Sequence, residues 1–299
     1  MAGAWSAGGN ISDARQGLAG CGTQTAGLCF GGDGGPVAGT EEYDGSSWGA
    51  GGNLNTARQN LAGAGTQTAG LSIGGTTGSN SAVTEEYDGA SWAAGGSLAT
   101  ARRTIAGAGT QTAGLGFGGY VSAASAITEE YDGAAWAGGG DLGTARNDVA
   151  GCGTQTAGLA FGGGGPLDST EEYDGAAWAA GGALPAARFA MGGAGTQTAG
   201  LGFGGYNAAY KTETYEYDGT SWAAGGALSA GKTYPGSAGA TNSAALCIGG
   251  DAGGANSAVT EEYDISTTAI KTVDGLAEAS VKTIDALANA SVKTWDGLA

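Results

Sequence analysis

Histidine is absent from this chain, and lysine and arginine together number 11 against 28 aspartates and glutamates. Without imidazole, the commonest general base and the commonest protein metal ligand are missing. A net charge of −17 repels a phosphate backbone, which excludes nucleic acid as a partner. There is no Gly-x-Ser-x-Gly elbow, no phosphate-binding loop and no Asp-x-Asp-x-Asp-Gly calcium loop. Paired carboxylates such as Glu85-Glu86 adjoin along an expected strand. Neighbours in a strand point to opposite faces, so such a pair cannot act as the acid/base couple of a glycosidase. No catalytic residue, cofactor or metal is expected, and the chain reads as non-enzymatic.

Cysteine is scarce as well. Cys21, Cys29, Cys152 and Cys247 lack the spacing of a zinc site. When the repeats described below are aligned, Cys21 and Cys152 fall where Ala64, Ala108 and Ala194 stand. Cys29 and Cys247 fall where Ser72, Gly116, Ala160 and Gly202 stand. All four are therefore expected to be small buried residues. Cys21 and Cys29 could face each other across a hairpin turning near Thr25, but no structural disulfide is expected. No apolar run approaches the length of a membrane span, so no membrane insertion is expected. Met1-Ala2-Gly3-Ala4-Trp5 holds neither a basic stretch nor an apolar core, so no signal peptide is expected and assembly in a cytoplasm is implied.

What the chain has in abundance is glycine, 65 residues of it, beside 41% hydrophobic residues and only 4 prolines. The glycines recur in register with aromatic and branched residues, a pattern of short strands and tight turns rather than of a flexible low-complexity chain. Six copies of one pattern can be read. Each has an Ala-Arg-like start (Arg15, Arg58, Arg102, Arg146, Arg188, Lys232) and a Gly-Thr-Gln-Thr-Ala-Gly-Leu-like run. A Gly-Gly pair, a variable stretch, Glu-Glu-Tyr-Asp or a close variant, and Trp follow. In the second copy four strands are expected, over 60–66, 69–73, 83–87 and 91–94, with Thr-Gln-Thr and Asp88-Gly89 as turns.

Trp48, Trp92, Trp136, Trp178 and Trp222 are spaced 44, 44, 42 and 44 residues apart, yet no Trp follows Tyr263-Asp264 at the expected distance. The missing one is Trp5, ahead of the first Arg. A unit whose last strand comes from the other end of the array closes a ring. The fold expected over residues 1–265 is all-β, a six-bladed propeller closed by its N-terminal strand. The six Trp and six Tyr in fixed register are expected to pack blade against blade, and the acidic Glu-Glu-Tyr-Asp strands to form a solvated outer face.

The order Gly-Gly, Tyr-Asp, then Trp about five residues on resembles the kelch repeat, over roughly residues 3 to 265. A WD-repeat propeller would want a Gly-His dipeptide, which a chain without histidine cannot have. The copper-radical oxidase built on the kelch propeller needs imidazole ligands, so that activity does not carry over. The resemblance implies that Arg15, Arg58, Arg102, Arg146, Arg188 and Lys232 ring the channel mouth on the face that also bears the loops after Gly-Gly. Two readings stay open for them: pairing with Glu of the Glu-Glu-Tyr-Asp strands, or an anion-attracting mouth on an acidic body. The copies differ most in the stretches 33–39, 76–82, 120–126, 164–169, 206–211 and 251–258, which hold Tyr120, Tyr206 and Tyr210 outside the packing register. Any recognition is expected there.

Residues 266–299 follow an eleven-residue period, with apolar positions Ile270, Val273, Leu276, Val281, Ile284, Leu287, Val292, Trp295 and Leu298. An eleven-residue helical repeat and short strands with Asp-Gly turns both fit. Either stripe is too narrow for a core of its own, so an oligomer, with a trimer foremost, or docking onto a partner is expected. The Ala-Gly-Thr-Gln-Thr-Ala-Gly-Leu wording together with this tail resembles kelch-like structural proteins of marine tailed phages. That resemblance implies a virion protein of fibre, tail or capsid. It would be attached to other virion proteins by 266–299 and would display the propeller to a host surface glycan. An architectural decoration without a ligand is the alternative; a bacterial adhesin or carbohydrate-active enzyme fits less well.

Overall fold

Alternation along each strand and a tight turn at each end set the local structure. A computed structural model describes residues 3–33 and 37–265, and the propeller unit ends at Ile265. In the second copy the strands run Ala62–Thr66, Ala69–Ile73, Thr84–Tyr87 and Trp92–Ala94, within two residues of the expected bounds. Asp88 holds its turn by accepting hydrogen bonds from the Ala90 and Ser91 amides at 2.9 and 2.7 Å. Five copies repeat this turn and all six repeat the strand order, giving six four-stranded antiparallel sheets arranged as a six-bladed β-propeller. The sixth sheet is completed by Ala4–Ala7, with Trp5 in register with Tyr263. The nine apolar tail positions named above lie outside the described residues.

The inner strands come together around the axis because glycine lines it. A Cβ on Gly63 would lie 2.6 Å from the carbonyl oxygen of Gly20 in the preceding blade, so no larger residue fits at this spacing.

Neighbouring blades are joined by three side-chain contacts repeated round the ring, with Ile in place of Phe at two interfaces and Asn242 in place of Gln at one. The Trp92 ring sits 5.0 Å from Tyr87 of its own blade and 4.7 Å from Phe30 of the preceding one, and its Nε1 donates to Thr40 Oγ1 at 3.0 Å. The Tyr87 hydroxyl donates to Glu42 Oε1 of the preceding blade at 2.6 Å. Gln67 Nε2 donates to the Tyr43 carbonyl at 2.7 Å. Where the sixth blade meets the fifth, Trp5 sits edge-on to Phe203 and donates to Thr214 Oγ1 at 2.8 Å. Where the first blade meets the sixth, Trp48 Nε1 donates to Thr260 Oγ1 at 3.0 Å and Gln24 Nε2 donates to the Tyr263 carbonyl. The six repeat tyrosines are fully buried, each removing about 150–250 Å² from water, roughly 4–6 kcal/mol before entropy costs. The tryptophans are less deep: Trp92 and Trp222 are buried, while Trp5, Trp48, Trp136 and Trp178 are half-buried against the same clusters.

The expectation of a solvated acidic outer face is corrected. The first Glu of the motif is buried in five copies (Glu41, Glu85, Glu129, Glu171 and Glu261), and the second accepts the neighbouring tyrosine hydroxyl. Only the Asp stands in water, and in five copies it caps its turn. The carboxylates are retained because each has a partner that offsets its desolvation.

The four cysteines are free and buried. Cys21 is in register with Leu28 and Cys29 with Gly20, which puts the two thiols on opposite faces of their hairpin, where no bridge can form.

Candidate functional site

Each connection from the outer strand of one blade to the inner strand of the next carries the repeated cation, and its backbone and side chain serve different blades. Arg58 shows the pattern. Its amide donates to Val37 O and its carbonyl accepts from Gly32 N, both in the preceding blade. Its guanidinium reaches into its own blade, donating to Gly74 O at 2.7 Å, Val83 O at 2.8 Å and Glu85 Oε1 at 3.0 Å. Burial pulls the Arg58 pKa down and the facing Glu85 opposes that pull. Arg15 pairs likewise with Glu41, Arg102 with Glu129, Arg146 with Glu171 and Lys232 with Glu261. Arg188 departs from the pattern because Tyr215 occupies the Glu slot. It donates to the Tyr215 hydroxyl at 2.8 Å, and its nearest carboxylate is the half-exposed Glu213 at 3.8 Å.

All six cations are at most 3% exposed. The expectation that they ring the channel mouth is therefore corrected. Their donors are directed at carbonyls and carboxylates inside the blades, and of the two readings left open the geometry is that of pairing.

The loops after Gly-Gly do lie on the face where the blades are connected. Backbone bridges join Gln59 to Thr76, Arg103 to Tyr120 and Thr233 to Asp251. Tyr120 carries the Arg103 guanidinium 4.4 Å above its ring, and Arg103 Nη1 donates to Asn80 Oδ1 at 3.0 Å. Across the face Tyr206 packs between Phe189, 5.7 Å away, and the edge of Tyr210, 5.4 Å away. The Tyr210 hydroxyl donates to Asp251 Oδ2 at 3.1 Å. The three tyrosines are half-buried, so part of each ring meets solvent. Residues 34–36 of the first loop lie outside the described residues.

The channel mouth belongs to residues that the sequence reading did not single out. Two positions after each repeated cation stand Gly17, Asn60, Thr104, Asp148, Ala190 and Tyr234, all with left-handed backbone (φ between 49 and 60°). For residues with a Cβ this conformation is costly, by about 1–2 kcal/mol each. It is held here by a closed circle of six hydrogen bonds: Asn60 N to Gly17 O, Thr104 N to Asn60 O, Asp148 N to Thr104 O, Ala190 N to Asp148 O, Tyr234 N to Ala190 O, and Gly17 N to Tyr234 O. The backbone is thus the same six times and the side chains differ six times. A signal was present in the sequence, since the three residues after each cation vary within otherwise fixed wording.

Behind this circle lies an axial cavity of about 110 Å³, lined by the six left-handed residues and the starts of the inner strands. Asp148 is its acidic group. Asp148 Oδ2 accepts from Asn147 Nδ2, whereas Asp148 Oδ1 and Thr104 Oγ1 are buried without a hydrogen-bond partner among the described residues. Burial pushes the Asp148 pKa up, and the neighbouring Tyr234, Asn147 and Thr104 side chains and the Arg103 charge oppose the shift. The Tyr234 pKa is raised by burial and by the facing Asp148.

The chain matches no protein-family model and no curated protein.

Proposed function

We propose that this propeller is a non-catalytic binding module of a tailed-phage virion, presenting its loop face to a glycan on the host surface. In this reading residues 266–299 join it to other virion proteins, as a homo-oligomer with three copies, and the virion is its location. The observation that carries the reading is where variation falls. Six blades repeat their wording and interface contacts, while their differences collect on one face, around two half-buried aromatic clusters, Tyr120 with Arg103 and Phe189 with Tyr206 and Tyr210. A rigid scaffold with variable loops is the arrangement recognition surfaces use, and aromatic faces stack on the apolar faces of sugars. Weak single contacts gain from many copies on one particle. The virion part rests on the resemblance of the repeat wording and of the tail.

A spacer without a ligand is the second reading, favoured by the way the loops bond to one another. Asn80 Nδ2 donates to Tyr120 O at 3.0 Å, and Asn256 Nδ2 to Asp33 O at 3.2 Å. Titration of the full-length chain against host-envelope polysaccharide fragments separates the two. Saturable binding weakened about tenfold or more by Tyr206→Ala or Tyr120→Ala supports recognition. No binding, or binding that ignores both substitutions, leaves the spacer.

A further inference from the structure

With the six repeated cations drawn into the blades and paired, the sign of charge at the channel mouth is reversed from the one an exposed cation ring would give. What faces the axial cavity is Asp148, beside the hydroxyls of Thr104 and Tyr234. The nearest further cation, Arg103, is engaged with Asn80 and lies over the Tyr120 ring. Asp148 Oδ1 and Thr104 Oγ1 are both buried and make no hydrogen bond of ordinary geometry among the described residues. The Thr104 and Tyr234 hydroxyls nevertheless lie close enough to Asp148 to favour its charged form. Buried acceptors left without a full complement of donors are costly, a carboxylate most of all, which favours a ligand that donates to both. The circle that holds them sets both residues in left-handed backbone, a conformation that is costly for β-branched Thr104.

We propose that the axial cavity on the loop face is a receptor for a compact primary ammonium group, with Asp148 as its counter-charge and Thr104, Tyr234 and Asn60 as neutral oxygen partners. An ammonium offers three donors from one small centre, which suits one carboxylate and hydroxyls converging from separate blades. Calcium is a poorer fit, because it takes six to eight oxygens, usually with several carboxylates. A quaternary ammonium has no N–H to give and would want an aromatic cage, whereas Tyr234 is the one aromatic ring on this lining. An anion would meet Asp148 with no cation aimed into the cavity. Asn60 Oδ1 leans over Gly17, where a Cβ would lie only 2.7 Å away, so the glycine leaves this side chain room along the circle.

The test uses the full chain and three salts at matched ionic strength: methylammonium chloride, tetramethylammonium chloride and sodium acetate. Methylammonium should raise the melting temperature in a saturable way, as a ligand of the folded state does, and the other two should not. Asp148→Asn should weaken the methylammonium response about tenfold or more, while its own melting temperature stays level or rises because a desolvated carboxylate is gone. Thr104→Val should weaken the response in part, and it carries the test if Asp148→Asn does not fold. Stabilisation by acetate, an equal response to tetramethylammonium, no response to methylammonium, or a response unchanged in the folded variants would each overturn the proposal. No sugar enters the experiment, so its outcome is separate from that of the glycan reading.

Discussion

Trp5 and Tyr263, from opposite ends of the propeller sequence, are register partners in one blade, with ring centroids 4.9 Å apart. The pair makes the sixth blade equivalent to the other five, in which the paired Tyr and Trp come from one continuous stretch. Trp5 also reaches the preceding blade, through Phe203 and Thr214.

Trp5→Ala should therefore destabilise the propeller by about 3 kcal/mol, close to the cost of Trp178→Ala between the third and fourth blades. Urea midpoints of the two variants measure this. Removing residues 1–9 should cost more and leave the Thr260–Asp264 edge unpaired, so that light scattering reports association. A truncated chain that stays monomeric with an unchanged midpoint would show that the closing strand does not hold the ring.

The buried pair Arg58–Glu85 should be far more sensitive than Arg188–Glu213, because both partners of the first are inside and Glu213 is half in water. Glu85→Gln should cost about 3–5 kcal/mol by leaving the Arg58 charge uncompensated, and Glu213→Gln within about 1 kcal/mol. Equal losses in chemical denaturation would contradict this account of the cations.

Alkali should unfold the protein through its interfaces. Burial, with the facing Glu second, pushes Tyr43, Tyr87, Tyr173 and Tyr217 up to about 12 from an ordinary value of 10.0. Burial likewise pushes the Cys29, Cys152 and Cys247 thiols up to about 12 from 9.0. Both groups are neutral in the folded state, and their folded values lie above their unfolded ones. Their contribution is complete below about pH 9 and is lost as pH rises towards about 12. Denaturant midpoints should stay level below that point and fall above it, with tyrosinate absorbance appearing together with unfolding. Tyrosinate formation well before unfolding would refute the assignment.

Deleting residues 266–299 should leave a propeller with unchanged thermal unfolding that no longer assembles with its own copies or with the particle. Analytical ultracentrifugation and particle incorporation measure the two effects. Incorporation of the truncated chain would remove the tail from the attachment role.

Much of this molecule was legible in its repeats. Blade number followed from the spacing of Trp and Tyr-Asp, and ring closure from Trp5 standing ahead of the first copy. The strand bounds followed from Thr-Gln-Thr and Asp-Gly turns. These are local or periodic properties, and periodicity is what a linear text records. The buried thiols could be read the same way, because aligned copies put Ala or Gly in their slots.

The placement of side chains was another matter. Register puts Arg58 on an inter-blade connection, but whether a long flexible side chain turns to the channel or into the blade depends on where Gly74, Val83 and Glu85 offer acceptors. The first Glu of each Glu-Glu-Tyr-Asp motif looked solvated for the same reason, since its partner sits some 27 residues away for Glu85. The circle from Gly17 to Tyr234 exists only when six blades meet at one axis, so nothing within any one copy points to it. Sequence alone determined how many blades there are and how they close. Only the tertiary structure decided which charges are spent in holding them together and which one, Asp148, is left facing the axis.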